Sequence, residues 1–340
     1  MDIKQIVFTE INKAELLDVS IRKPRGKEVL VKTEISTISA GTERANITGD
    51  PNVNANGASG VVFPRTSGYN SVGEVVEIGD EVTSLKVGDR VVVYWGKHRS
   101  YNLVKEENAV KINDPAVSSE SAAMSFIASF PLAAIRKTRL EMGESALVMG
   151  LGILGLIAVK LLRAAGAVPI IAVDPNPKRR EIAKACGADF VFDPFEDGFE
   201  QKVREVSPGG VNVAIEVTGV GAGFNEALDC MAKFGRVALL GCTRKSDFTV
   251  DYYKKIHSPG ITVIGAHTIA RPEYESHPGW FTHRDDISAI LSLISGGRLE
   301  LDSLASELHS PEDCTEVYSR LVNDKNFPIG VQFDWKRLWD

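Results

Sequence analysis

The feature that most limits what this chain can fold into is Gly150-Leu151-Gly152-Ile153-Leu154-Gly155. It directly follows an apolar, β-prone run at 146–149 and opens a helical pattern over 155–165. In this spacing the first glycine permits a tight turn, the second lets backbone approach a pyrophosphate, and the third lets helix and strand pack closely. Unsatisfied N–H groups at the helix start then hold phosphate oxygens. A second β-prone run, 169–173, ends at Asp174, nineteen residues after Gly155. A carboxylate there binds both ribose hydroxyls of NAD and repels a 2′-phosphate. Arg179 either sits on the adenosine side of NAD or accepts a 2′-phosphate; with Asp174 ahead of it, NAD is the expected cofactor. The bland alternative is a glycine turn in some other α/β protein, with Asp174 merely capping the next turn.

Alternation continues beyond the motif. Further β-prone runs lie at 190–192, 213–217, 237–240 and 261–265, with helical patterns at 178–185 and 224–232. That order implies a parallel sheet with helices on both faces. An alanine-rich helical stretch, 118–136, leads into it. The first 115 residues differ: short β-branched runs at 3–9, 29–36, 72–77 and 90–94 are separated by turn signals such as Lys23-Pro24-Arg25-Gly26, Gly79-Asp80 and Gly88-Asp89. Residues 52–60, made of Asn, Ala, Gly, Ser and Val, read as a surface loop. After an irregular aromatic segment at 271–281, helices at 285–295 and 311–323 and a strand at 329–333 complete the pattern. The expected fold is therefore α/β. A doubly wound Rossmann domain covers 118–270, and a β-rich domain is discontinuous over 1–117 and 271–340.

Composition removes several function classes. With 340 residues, 44% hydrophobic and 25% charged, the chain has the make-up of a two-domain globular protein. Thirty-nine basic against forty-five acidic residues give −6 with no basic block, which disfavours nucleic acid and anionic membrane surfaces as partners. Cys186, Cys230, Cys242 and Cys314 are far apart and form no Cys-x-x-Cys pair, which suits a reducing compartment and neither a disulfide framework nor a thiolate zinc site. No signal-peptide pattern opens the chain, and the longest apolar stretch, 146–159, is too short for a bilayer and broken by three glycines. The expected location is the cytoplasm.

Several stations then fall in a recognisable order. They are Ser39-Ala40-Gly41-Thr42-Glu43, Gly68-Tyr69-Asn70 leading into Val72-Gly-Glu-Val-Val-Glu-Ile-Gly79, Val87-Gly-Asp-Arg-Val91, the 150–155 motif, Glu216-Val-Thr-Gly219, and Gly235-Arg-Val with Leu-Gly241. Over essentially its whole length the chain resembles the medium-chain dehydrogenase/reductase family of the zinc alcohol dehydrogenase type. The resemblance implies a GroES-like catalytic domain for the β-rich part. It also implies a homodimer joined through the edge of the nucleotide-binding sheet. By the same resemblance Val217, Thr218, Gly241, Cys242, Ala266 and His267 line the nicotinamide end, largely through backbone atoms; Cys242 otherwise reads as a plain strand-end residue.

The zinc ligands of that family are replaced. Zinc-dependent members carry a cysteine before the Gly-Thr-Glu step, His-Glu after the glycine at 68, and a third ligand in the later helix. Those places hold Ala40, Tyr69-Asn70 and Ser125 here, and zinc prefers thiolate, imidazole or carboxylate. Segment 95–104 also lacks the closely spaced cysteines of the structural zinc lobe. No metal is expected. A metal-free site needs another group to hold the substrate oxygen and move a proton. Tyr69 can donate to and accept from one oxygen. Thr42 matches the family's proton-relaying hydroxyl, and Lys97 and His98 are candidates to depress the Tyr69 pKa or to act directly. The alternatives are a packing Tyr69 with its hydroxyl tied to backbone, and His98 on an exposed loop. Glu43 is expected to pair with an arginine near the cofactor, and His277 and His283 to lie at the surface beside the aromatic segment.

Ser39, Arg65, Asn70 and Ser125 are the candidate substrate contacts, and the polar set Ser39, Thr42, Asn70, Arg65, Lys97 and His98 suits a polyol, sugar or sugar derivative. The leading function is metal-free, NAD-dependent oxidation of a secondary alcohol or reduction of the matching ketone. Two others stand beside it. One is an NADPH-dependent quinone or enoyl reductase, a class with a different glycine loop; the other is a catalytically silent NAD(H)-binding sensor.

Overall fold

The computed structural model describes residues 1–50, 61–243, 246 and 248–339; the expected loop at 52–60 lies outside them. The chain divides into two compact units. One comprises Met1–Ile127 with Ile287–Asp340, the other Ala128–Asp286. The first boundary falls within the helix Ser119–Thr138, because its opening turns are held by the β-rich unit. The Ala123 carbonyl accepts from Thr37 Oγ1 and Asn70 Nδ2, and the Glu120 carbonyl accepts from Gln332 Nε2.

Unit Ala128–Asp286 is built on six parallel strands. Their spatial order is Phe190–Phe192, Ile170–Val173, Ala146–Met149, Val211–Glu216, Met231–Leu239, Thr262–Gly265. Numbered from Ala146–Met149 this is 3-2-1-4-5-6, the doubly wound dinucleotide order whose direction reverses beside the first strand. Near-continuous apolar runs such as Ala146–Met149 and Ile170–Val173 are buried throughout, as strands covered on both faces must be. Leu147, Met149, Ile171, Val173, Ala214 and Val237 form one cluster with Phe199, Val203, Phe224 and Leu228 of the helices Phe199–Val206 and Gly221–Asp229. The helical pattern read over 224–232 stops earlier, at Asp229. Met231 already pairs with Val211 and starts a long strand.

The β-rich unit has a seven-stranded and a three-stranded sheet. The larger runs Glu307–His309, Val331–Asp334, Glu28–Thr37, Asn70–Ile78, Arg90–Tyr94, Ala109–Lys111, with Tyr101–Lys105 also pairing Glu28–Thr37. The smaller places Asp2–Glu10 between Lys13–Ser20 and Arg65–Thr66. Lys13–Ser20 carries Lys13, Glu15 and Asp18 on an edge, which hid it from a hydrophobic-pattern reading. Val29, Val31, Val75, Val91 and Val93 fill one core. Ile6, Phe8, Tyr318, Phe333 and Trp335 fill another. Among the described residues no helix is long and apolar enough to cross a membrane.

Candidate active site

The nucleotide-side residues all follow the carboxyl ends of parallel strands, where ligands bind in open α/β sheets. Gly150 has φ +98°, and a Cβ there would lie 2.9 Å from Thr218 Cγ2. A Cβ on Gly155 would lie 1.9 Å from the Gly150 carbonyl oxygen, so only glycine allows this helix to meet its strand. Gly152 caps the helix Ile153–Ala164 with no side-chain hydrogen bond and with open space where its Cβ would be. Leu151 is buried, and its N–H donates to Asp174 Oδ2 at 2.8 Å. Asp174 Oδ1 accepts from Asn176 N–H at 2.8 Å, and Arg179 Nη1 stands 3.7 Å from Oδ2. Each carboxylate oxygen retains acceptor capacity for a ribose hydroxyl. Uncapped helix N–H groups, open space at Gly152 and a strand-end carboxylate fit the phosphates and ribose of a dinucleotide.

The remaining nucleotide-side candidates converge as well. A Cβ at Gly241 would lie 2.4 Å from Gly219 N, and one at Gly219 would lie 2.6 Å from the Cys242 carbonyl oxygen. The loops bearing Val217, Thr218, Gly241 and Cys242 therefore touch backbone to backbone. Glu216, quoted above only as part of a motif, organises them. Buried, it accepts from the N–H groups of Thr218 and Gly219 and from the Thr218 hydroxyl, and burial raises its pKa. The Ala266 N–H donates to the Leu239 carbonyl, while His267 is exposed. Lys137, which no sequence signal marked, donates to the carbonyls of Gly265 and Ala270 on either side of these two residues; burial lowers its pKa to about 8, with Arg271 adding to the shift.

In the β-rich unit a second cluster surrounds Tyr69. The Tyr69 hydroxyl donates to Ser39 Oγ at 2.5 Å, not to backbone. Its ring lies edge-on to Phe126 at 5.6 Å and 5.9 Å from Trp95. Trp95 is exposed and has φ +58°, an uncommon conformation for a bulky residue. Thr42 is half-buried on the helix Ala40–Ile47, which starts at Ala40, the residue after Ser39. Lys97 is half-buried, and burial followed by the charge of Arg99 lowers its pKa.

His98 is not on an exposed loop: it is fully buried, with Nδ1 2.7 Å from Ser36 Oγ and Nε2 3.2 Å from both Glu43 oxygens. Glu43 likewise departs from expectation, pairing with His98 and Tyr318 rather than an arginine. Nothing in local sequence announced Tyr318, 275 residues away. His277 is exposed as expected. His283 is half-buried at the head of the helix His283–Ser295, and burial lowers its pKa to about 3, with Arg271 adding to the shift.

The other candidates serve the frame. Arg65 lies in the short strand pairing Phe8. Ser125 is fully buried, its Oγ directed to the Ser121 carbonyl at 3.4 Å. Asn70 Nδ2 donates to the carbonyls of Thr37 and Ala123, leaving one neutral buried oxygen, Oδ1, without a hydrogen-bond partner. Ala40, a phenol, an amide and a back-bonded serine are not a zinc donor set. Among the described residues no group of three His, Cys, Asp or Glu side chains is arranged to hold a metal ion.

Comparison with known proteins agrees with both units. Residues 25–124 match the alcohol dehydrogenase GroES-like domain, and residues 154–279 match the zinc-binding dehydrogenase family. An L-threonine 3-dehydrogenase of Thermococcus kodakarensis is 30% identical, with 91% of each chain covered. A D-guloside 3-dehydrogenase of Escherichia coli is 24% identical over 97% of this chain and 100% of its own. The crystal structure of 2R,3R-butanediol dehydrogenase from Bacillus subtilis superposes with a TM-score of 0.81 at 25% identity, covering 98% of this chain and 99% of that one.

Proposed function

The chain belongs to the medium-chain dehydrogenase/reductase family of alcohol dehydrogenases, and from that premise we propose that it is a zinc-independent, NAD-dependent dehydrogenase of secondary alcohols. It is an oxidoreductase acting on CH–OH groups. The names of the three relatives denote compounds bearing a secondary alcohol beside another polar group. With Arg65, Asn70, Ser125 and His98 engaged in the frame, Ser39, Thr42 and Lys97 are the polar residues left to meet a polyol, sugar or sugar derivative as the substrate. The enzyme works in the cytoplasm as a homodimer, with a small alcohol or carbonyl compound as its partner.

One observation carries the metal-free reading. Where a zinc centre needs thiolate and imidazole, this chain has Ala40 and a phenol hydrogen-bonded to Ser39 Oγ. In the reduced direction, Tyr69 donates its hydroxyl proton to the carbonyl oxygen; in the oxidative direction it takes the alcohol proton. Ser39 Oγ accepts from the phenol and, by rotating its own O–H, donates to the phenolate. Thr42 passes the proton onward. NAD, when bound, supplies the hydride acceptor. Gly150, Leu151, Gly152, Ile153, Leu154 and Gly155 would hold its phosphates, Asp174 its ribose hydroxyls, and Val217, Thr218, Gly241, Cys242, Ala266 and His267 its nicotinamide end. Arg179 would lie on the adenosine side, its charge directed at Asp174.

Tyr69→Phe tests the reading. Assayed with NAD against 2,3-butanediol, L-threonine and alkyl glycosides, it should lose about 10²–10⁴-fold in turnover. Undiminished turnover would remove Tyr69 from the proton path.

A further inference from the structure

Tyr69 and Ser39 sit on separate stretches of chain, and one buried pair of side chains touches both. Glu43 is 2% exposed, and its Oε1 accepts the Ser39 N–H at 2.8 Å. Its partner His98 lays its imidazole against Gly68, the residue before Tyr69. A Cβ on Gly68 would lie 2.6 Å from His98 Cγ and Cδ2, and Gly68 stands at φ +79°. The His98 N–H donates to the Ser67 carbonyl at 2.9 Å. The pair thus braces the phenol from the backbone side and its hydroxyl acceptor from the other.

Behind it, every donor finds an acceptor in one assignment. Trp335 Nε1–H donates to Ser36 Oγ at 2.8 Å, Ser36 O–H donates to His98 Nδ1 at 2.7 Å, and His98 Nε2–H donates to Glu43. Tyr318 O–H, at 2.5 Å, adds a third donor to the Glu43 carboxylate. A neutral imidazole beside a carboxylate satisfies this set, the tautomer following from the network. Filling the same volume with apolar side chains would hold the fold without the cost of burying a carboxylate. The network's two ends at Ser39 and Gly68 give it another purpose.

We propose that Glu43 and His98 are a positioning pair that fixes the Tyr69–Ser39 hydroxyl geometry for proton transfer. The proposal rests on the reading of Tyr69 as the proton-handling group. Small displacements of a reacting group cost rate steeply, so Glu43→Gln should lower kcat about tenfold while leaving the KM for NAD within about twofold. Placed on a Tyr69→Phe background, the same substitution should add less than about twofold, as coupled residues do. Equal losses in both backgrounds would overturn the proposal, leaving Glu43 a purely structural residue. Ser36→Ala, two links further out, serves if Glu43→Gln does not fold, with an expected loss of about threefold that also vanishes without Tyr69.

A readout independent of turnover separates the two ideas. In protein carrying ¹³C-labelled tyrosine, the Tyr69 ring signal is identified by its loss in Tyr69→Phe. It should shift or broaden in Glu43→Gln and Ser36→Ala while the Tyr94 signal stays in place. A Tyr69 signal that does not move overturns the positioning role, whatever the turnover of Tyr69→Phe. Full turnover in Tyr69→Phe with a displaced ring signal would instead sink only the proton role.

Discussion

The glycine turn of the nucleotide unit and the Tyr69 cluster of the β-rich unit are built from different materials. The turn and the loops that carry the other nucleotide-side candidates are mostly backbone: glycines at 155, 219 and 241 bring main chain within distances no side chain allows. The Tyr69 cluster is mostly side chain: Ser36, Ser39, Glu43, Tyr69, His98, Tyr318 and Trp335 come from strands, helices and loops spread over some three hundred residues. A backbone-built site depends on local spacing and tolerates no added atoms. One built of side chains depends on distant convergence and fails by degrees.

The largest expected effect tests the first half of that contrast. Gly155→Val should press branched carbon onto the Gly150 carbonyl, cost about 3 kcal/mol in urea unfolding and weaken NADH binding at least about 100-fold. Near-normal NADH binding by calorimetry would show that the turn has slack and that the contrast is overstated. Asp174→Ser comes next, since here the backbone site relies on one side chain. Fluorescence titration should show preference moving toward NADPH by about tenfold. An unchanged ratio would assign the choice to another residue, Arg179 first.

The smallest effect concerns His283. Burial, then Arg271, depresses its pKa from 6.5 to about 3. The unfolded chain therefore takes up a proton below about 6.5 that the folded chain refuses until about 3. The stability this group contributes is complete above the unfolded value and is lost as pH falls through that window. His283→Gln should flatten the acid limb between pH 7 and 5 by about 1 kcal/mol, a figure reduced for its partial exposure. Identical acid limbs in urea titrations would show that the imidazole protonates in place.

What could be read in the sequence follows the same division. Gly150, Gly152, Gly155 and Asp174 are legible because strand, turn and helix each impose a local pattern, and the sheet order then follows from alternation. Tyr69 stood out because it occupies a place where the family carries a metal ligand. The Glu43–His98 pairing did not, since spacing along the chain carries no information about a contact between residues 55 apart. The helix Ala40–Ile47 was missed for a local reason: Gly41 and Thr42 in its first turn are poor helix formers, and it has no apolar stripe. Glu216 and Lys137 act on backbone carbonyls and N–H groups of loops, and only the folded chain shows which ones.

Zinc content measured together with turnover after exhaustive chelation tests the central claim most directly. Protein purified without added metal should hold less than about a tenth of an equivalent of zinc and keep its full rate of alcohol oxidation once chelated. About one zinc per chain, with activity lost on removal and restored by zinc, would contradict it.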